Sequence, residues 1–358
     1  MKTFAVICVV LLLCVETQAQ LSERWYRFYN RDSTLIGFKN AEGKVSVAPR
    51  FQPQSAWGAF QNIIAVQEKR DGQYLNFYLT KSGREVGLDS VHYFDNGQDY
   101  EEEGYIRFRD HKTDKVGLFN KFGDIVIPAI YNDLTRVNNG LIIALSGAEK
   151  VRSEDGEHSS WRNGKLILID TSNKVLMEDF NSYRSLNLFS LSITKNPHPD
   201  VIRKNFKAKN GTYYSFIDYK KEFLSWLKTN VLNNHSKEKL GSAFYDNLAY
   251  FKPDSGWVSE PKDTYLSQNY ELIIKKLLQV NATDSRYSIA IDGLNGLIFN
   301  SPDFGPYYDG RNESKTKYPV LSLIFDYDEM TPQHKQDHFD FLRTDDGYRM
   351  ISLSIRNP

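Results

Sequence analysis

Apolar positions along this chain alternate in short runs, and polar turns interrupt the runs at a fixed interval. Gly43, Gly83 and Gly123 stand forty residues apart, each between two alternating segments, and Asn173 holds the matching place in a fourth. Alternation with period two, broken by a residue that accepts positive φ, predicts a β-hairpin. A fixed period near forty residues predicts a stack of copies of one small supersecondary unit, and such stacks usually present a binding surface. The clearest copy runs from Lys115 to Tyr131, with two strands around a turn at Asn120–Asp124. Pro128 has no amide hydrogen and is expected to end the second strand, after which Tyr131 folds back on the hairpin. The run Gly140–Leu145 follows. Gly37 to Phe51 keeps the same register without a gap, closing with Ile63–Val66. The second copy (Phe77–Leu79, Ser82–Val86, Tyr105–Phe108) and the fourth (Lys165–Asp170, Ser172–Leu176) are more degenerate.

Gly117 to Tyr131, and Gly37 to Phe51 less closely, fit an element of the form G-F-I-D-x-x-G-K-I-V-I-P-x-x-Y. On these residues the segment from about 35 to 193 resembles the WG-repeat family of bacterial proteins. Ile36 and Val116 replace the tryptophan that usually leads the element. Most members of the family have no known biochemical activity. The resemblance implies a β-rich binding or scaffolding array in which Gly37, Gly43, Gly83, Gly117, Gly123, Pro128 and Tyr131 are turn and structural positions.

Beyond Asn196-Pro197-His198-Pro199 the periodicity changes. Two prolines disfavour continued structure, so residues 196–204 are expected to be a linker between a repeat domain (20–195) and a C-terminal domain (205–358). Phe216, Tyr219, Phe223, Trp226 and Leu227 share one helical face, and Tyr270–Val280 repeats the pattern. Strands follow. Tyr287–Ile291 and Gly296–Phe299 flank Asp292-Gly293, Pro319–Tyr327 is a further strand, and Phe339–Arg343 and Tyr348–Leu353 flank Asp345-Asp346-Gly347. The last of these is faintly similar to the closing hairpin of NTF2-like domains, and no function is carried over on it. The expected fold is therefore a mainly β repeat array of short antiparallel hairpins, solenoid- or propeller-like, followed by an α+β domain.

The first nineteen residues read as a secretory signal, with Lys2 as the basic region, Phe4–Val15 as a short apolar core and Ala19 at the cleavage site. The protein is thus expected to be exported, to the periplasm or the exterior, without a membrane span in the mature chain. Both cysteines of the chain, Cys8 and Cys14, lie in this segment, so disulfides, thiolate metal sites and cysteine nucleophiles are excluded downstream. Forty-five basic residues balance 45 acidic ones, which argues against nucleic acid or an anionic membrane as partner. The triplet Glu101-Glu102-Glu103 is expected to be a solvated loop.

No phosphate-binding loop, dinucleotide fingerprint, His-Glu-x-x-His or Gly-x-Ser-x-Gly motif occurs. Ser-x-x-Lys occurs at Ser192/Lys195, Ser236/Lys239 and Ser314/Lys317, at a frequency that chance explains. The densest polar cluster joins Asp326 and Asp328 to His334 and His338. On a helix the two histidines would share a face able to chelate a metal, whereas an exposed loop between strands is the plainer reading. The expectation is a binding or scaffolding protein that recognises a protein or cell-envelope polymer, needs no cofactor, and uses exposed side chains such as Trp57, Tyr100 and Trp161. The rivals are an envelope hydrolase with its site at the Asp326–His338 cluster, and an inhibitor of a secreted effector.

Overall fold

The structure is a computed structural model that describes residues 23–94, 97–153, 159–181, 183–233, 235–283, 286–309, 311–326 and 336–356. The expected signal segment with its two cysteines, and Asp328 and His334, lie outside these residues. The chain is rich in β-strands, arranged in several mostly antiparallel sheets with no closed barrel among the described residues. It divides into two compact units, residues 1–181 and 182–358.

In the first unit, β1 (Trp25–Tyr29), β2 (Ile36–Lys39), β3 (Val45–Phe51), β4 (Ala59–Phe60), β5 (Ile63–Arg70), β6 (Gln73–Thr80) and β7 (Glu85–Val86) form one sheet in the order β4-β1-β2-β3-β5-β6-β7. The two-residue strands β8 (Tyr93–Phe94) and β9 (Gly97–Gln98) pair with each other, and β10 (Tyr105–Asp110), β11 (Lys115–Asn120) and β12 (Ile125–Tyr131) make a three-stranded sheet. Then come β13 (Asp133–Leu134), β14 (Leu141–Ser146), the separate hairpin β15 (Glu149–Arg152) with β16 (Ser159–Arg162), and β17 (Lys165–Asp170) and β18 (Val175–Met177). Phe38, Phe51, Tyr78, Leu118, Ile127 and Ile169 are among the side chains fully withdrawn from water here.

The periodic turns share one geometry. Gly43, Gly83, Gly123 and Asn173 have φ of 85°, 82°, 80° and 66°, and each donates its amide hydrogen to the residue three before it. That residue also accepts a bond on its side chain, from Lys44 to Asn40 (2.8 Å), Arg84 to Thr80 (3.1 Å), Asp124 to Asn120 (3.0 Å) and Lys174 to Asp170 (3.0 Å). A short polar side chain at the end of the first strand thus closes the turn that the positive φ opens. The strand pairing repeats as well. Ile36↔Phe51, Phe38↔Val47 and Lys39↔Val45 in the first hairpin recur as Val116↔Tyr131, Leu118↔Ile127 and Phe119↔Ile125, at an offset of eighty residues and with the same two register shifts. Leu168↔Met177 and Ile169↔Val175 reproduce the inner part once more. The second hairpin, Tyr78↔Val86 and Leu79↔Glu85, lacks the bulge.

These bulges explain Gly37 and Gly117, which do not sit in turns. The second strand doubles back over each of them. A Cβ on Gly117 would lie 2.6 Å from the Ile127 carbonyl oxygen and 2.5 Å from Phe108, and one on Gly37 would meet the Val47 carbonyl oxygen. Pro128 does not end its strand as expected. It lies inside β12, in the irregular stretch between Ile127 and Tyr131, because an edge strand with a bulge tolerates a residue without an amide hydrogen. Tyr131 is buried, and its hydroxyl donates to Asn173 Oδ1 at 2.8 Å, joining the third hairpin to the fourth turn.

In the second unit, β19 (Leu186–Thr194), β20 (Arg203–Lys207) and β21 (Tyr213–Asp218) pair in the order β19-β21-β20. The expected linker at 196–204 therefore runs within this unit, from β19 into the start of β20. The Asn205 side chain holds it by bonding both the amide and the carbonyl of His198. Helix α1 (Tyr219–Leu227) starts later than the apolar face suggests. Asp218 caps it, accepting from the amides of Lys220 and Lys221, and this leaves Phe216 in β21. Helices α2 (Lys237–Ser242) and α3 (Lys262–Leu277) and strands β22 (Phe244–Lys252), β23 (Gly256–Pro261), β24 (Tyr287–Asp292), β25 (Val320–Asp326), β26 (Gln336–Thr344) and β27 (Gly347–Ser354) complete the unit. The six strands run β23-β22-β27-β26-β25-β24, with β22 and β27 parallel. The hairpin expected at Asp345–Gly347 joins β26 to β27. The one expected at Asp292-Gly293 does not form, since β24 pairs with β25 and no strand covers Gly296–Phe299. Phe223, Leu227, Ile273 and Leu277 pack against Leu323, Phe339 and Phe341 in one core. A buried ion pair, Lys276 Nζ to Asp337 Oδ2 at 2.9 Å, fastens α3 to β26.

The close approach at Gly117 and the open turn at Gly43 separate two kinds of glycine. Gly117→Ala is expected to lose stability near the upper end of the ~1–3 kcal/mol typical of overpacking. Gly43→Ala, where a Cβ meets nothing within 4 Å, is expected to lose only the ~1 kcal/mol of a left-handed alanine. Urea denaturation measures both, and a loss at Gly117 no larger than that at Gly43 would mean that the neighbouring strand and Phe108 give way to the added Cβ.

Candidate functional site

The strand pair β1–β2 and its counterpart β10–β11 run in the same register. Arg27 stands opposite Phe38, and Arg107 opposite Leu118. Both arginines reach back over the following loop to main-chain carbonyls. Arg27 Nη1 donates to Pro53 and Ala56 (3.3 and 3.1 Å), and Arg107 Nη1 to Leu134 (2.7 Å). They differ in their counter-charge. Arg107 meets Asp99 in a two-pronged fork, Nε to Oδ2 at 2.8 Å and Nη2 to Oδ1 at 2.6 Å, with side-chain exposures of 6% and 1%. Burial raises the Asp99 pKa, but the charge and hydrogen bonds of Arg107, with help from Arg136, outweigh it and hold the carboxyl below its ordinary range. Arg27 has no carboxylate within ion-pair distance among the described residues.

Arg27 instead borders a cavity of ≈ 290 Å³, lined also by Gln54, Ser55, Ala56, Trp57, Gly58, Gly97 and Gln98. The Trp57 indole is fixed from behind, donating Nε1–H to the Gln98 carbonyl at 3.0 Å and meeting Tyr100 edge-on at 5.3 Å. Arg136 lies 3.6 Å over the other partner in this stack, the Tyr100 ring, and also bonds Asp99. Gln98 Oε1 is buried without a hydrogen-bond partner. The pocket is thus bordered by one cation with no carboxylate in reach among the described residues, by Gln98 with its unpaired side-chain oxygen, and by one immobilised aromatic wall.

Of the aromatic side chains singled out in the sequence, Trp57 and Tyr100 are brought together here, while Trp161 lies on the separate β15–β16 hairpin beneath Lys150. All three are half-buried rather than exposed. The acidic triplet is not a solvated loop. Glu101 is buried and accepts from the amides of Gln61, Asn62 and Ile63, and Glu103 accepts from Asn139 and Gly140 (2.5 and 2.8 Å). Burial pushes the Glu101 carboxyl up, and the amides pull part of that shift back.

In the second unit, Gln336 joins two of the residues once grouped as a metal or acid pair. Its Nε2 donates to Asp326 Oδ1 at 2.6 Å, and its Oε1 lies 3.1 Å from His338 Nε2. Among the described residues no group of three His, Cys, Asp or Glu side chains is placed to hold a metal ion. Ser192 lies in β19, Ser236 caps α2, and Ser314 Oγ accepts from the Leu294 amide. Sequence reasoning missed Arg27 and Arg107, yet the signal was there. An Arg-Phe pair precedes Gly37 and Gly117 by the same interval, at Arg27-Phe28 and Arg107-Phe108.

His92 sits beside this machinery, with its carbonyl bonded by the Asp99 amide and its Nδ1 buried without a partner. Burial first, and then the charge of Arg107, push its pKa from 6.5 down to about 3, against the pull of Asp99. The neutral ring therefore contributes stability in full above pH 6.5, and the contribution is lost as pH falls from there toward about 3, at up to ~1.4 kcal/mol per pH unit. Urea denaturation at pH 7 and pH 5 is expected to show this loss in the natural protein and a flatter profile in His92→Gln. Identical profiles would mean that His92 does not titrate this way.

No family model matches the chain, and no curated protein matches it in sequence.

Proposed function

We propose that the chain is an exported, non-enzymatic binding or scaffolding protein. In this reading an N-terminal array of WG-like hairpin repeats recognises a protein or cell-envelope partner and precedes an α+β unit. The recurrence of bulged registers at an offset of eighty residues supports the array, and the basic, apolar and small-residue order of the first nineteen positions supports export. No described helix is long and apolar enough to cross a membrane.

The observation that carries the binding reading is the Arg27 cavity. A purely structural arginine closes its own charge, as Arg107 does in the matching register. Arg27 lies over the Tyr29 ring at 5.5 Å and meets no carboxylate among the described residues, on a pocket whose aromatic wall is already fixed by a hydrogen bond and an edge-on stack. Such a pre-organised wall lowers the ordering cost of binding, and convergent polar groups beside an aromatic face are what fix a ligand's orientation in a pocket.

Tagged full-length chain cross-linked in envelope extract is expected to recover one dominant partner, identified by mass spectrometry. Trp57→Ala is expected to cut that recovery about tenfold, as loss of a buried aromatic anchor does, and Trp161→Ala to leave it unchanged. Undiminished recovery by Trp57→Ala would remove the cavity from the binding face.

A further inference from the structure

We infer that the Arg27 cavity takes the free carboxylate end of a peptide chain. This rests on the binding reading above and names the chemistry of the ligand. Arg27 spends only Nη1 on main-chain carbonyls, and its Nε and Nη2 have no partner among the described residues. Two parallel N–H donors on one planar group match a carboxylate in the way that Arg107 matches Asp99. Among the described residues no carboxylate lies within ion-pair distance of Arg27 to supply that match.

The unpaired Gln98 Oε1 sets a second requirement. Gln98 lines the same cavity, and its Oε1 is an acceptor withdrawn from water without a partner, an arrangement that costs ~1–3 kcal/mol and that a turn of the side chain toward the cavity would relieve. A ligand that brings an N–H close to its carboxylate meets both demands, and the last residue of a peptide does so with its own amide. The Trp57 face then receives the terminal side chain. At ≈ 290 Å³ the cavity lies at the small end of ligand pockets, which span roughly 300–1,000 Å³, and suits one terminal residue better than a length of polymer. A uronic acid also offers a carboxylate, but its ring hydroxyls need several further polar partners. The lining carries four polar side chains, Arg27, Gln54, Ser55 and Gln98, and Ser55 already bonds Gln52 and Gln67.

The test is calorimetric titration of the full-length protein with N-acetyl-Gly-Gly-Phe, with its C-terminal amide, and with galacturonate. The acid is expected to bind about tenfold more tightly than the amide. Arg27→Gln is expected to erase that preference, and Arg27→Lys, which keeps the charge but not the fork, to retain part of it. Arg27→Gln also frees the Pro53 and Ala56 carbonyls, so its thermal unfolding is compared with that of the natural protein. Gln98→Leu leaves Arg27 untouched and is expected to weaken acid and amide alike while preserving the preference between them. Equal binding of acid and amide, or no binding of the acid at millimolar concentration, would overturn this inference. Trp57-dependent capture from envelope extract would then still stand for the broader binding reading. Arg27-dependent binding of galacturonate without binding of the peptide would overturn the assignment to a chain terminus. A preserved preference for the acid alongside capture that ignores Trp57 would uphold the carboxylate site and overturn the broader reading instead.

Discussion

The buried fork between Asp99 and Arg107 is the contact on which the first unit's irregular part depends. Residues 97–103 contribute only the short strand β9 to any sheet, with isolated backbone bonds at Asp99 and Glu102 besides, so backbone pairing holds them at few points. Side chains do the rest, with period two. Asp99 reaches Arg107 and Arg136, Glu101 reaches three amides at the start of β5, and Glu103 reaches the amides of Asn139 and Gly140 before β14. An extended backbone sends alternate side chains to one face, and here that face carries three anchored carboxylates. The desolvation of Asp99 is offset, and that of Glu101 offset in part, because each accepts several donors at once. A single lost donor would leave a buried charge, which costs far more than the pair contributes.

The same alternation places Tyr100 on the other face. Between two anchored acids it can only present its ring toward Trp57, with Arg136 stacked behind it. The wall of the Arg27 cavity is therefore set by electrostatics one residue away. Arg136 serves both sides, as hydrogen-bond donor to Asp99 and as cation over Tyr100. Arg136 thus stiffens the wall while adding to the charge that Arg107 sets against Asp99, which fixes the pocket rim without regular secondary structure.

The hairpins were legible because their signals are local. A positive-φ residue between alternating runs identifies a turn whatever lies around it, and Gly43, Gly83, Gly123 and Asn173 all adopt that conformation. The end at Asp345–Gly347 was legible for the same reason. What failed were expectations that depend on distant chain. Asp292-Gly293 has turn chemistry, but β24 finds its partner in β25, nearly thirty residues on. Pro128 looked like a strand end because the bulge that accommodates it is a property of pairing with β11. Three adjacent glutamates read as a solvated loop because the amides that bind two of them lie near forty residues away in either direction. Trp57 and Tyr100 were legible as candidate contacts but not as a pair, and the arginine that gives their cavity its charge shows only when the chain is compared with itself at the larger offset.

That comparison also shows why two copies with one register diverge in role. The strand, the following glycine and the loop that accepts Nη1 are shared by Arg27 and Arg107. The counter-charge is not shared. Asp99, eight residues before Arg107, closes that arginine's charge. Asp99 lies in the chain between the second hairpin and β10, so the third hairpin meets its acid in the segment that precedes it. Among the described residues Arg27 meets no acid, and its guanidinium lies over the Tyr29 ring at 5.5 Å instead. One register therefore carries two arginines that differ in the charge set against them, and that difference, not the strand geometry, separates a core fork from a pocket wall.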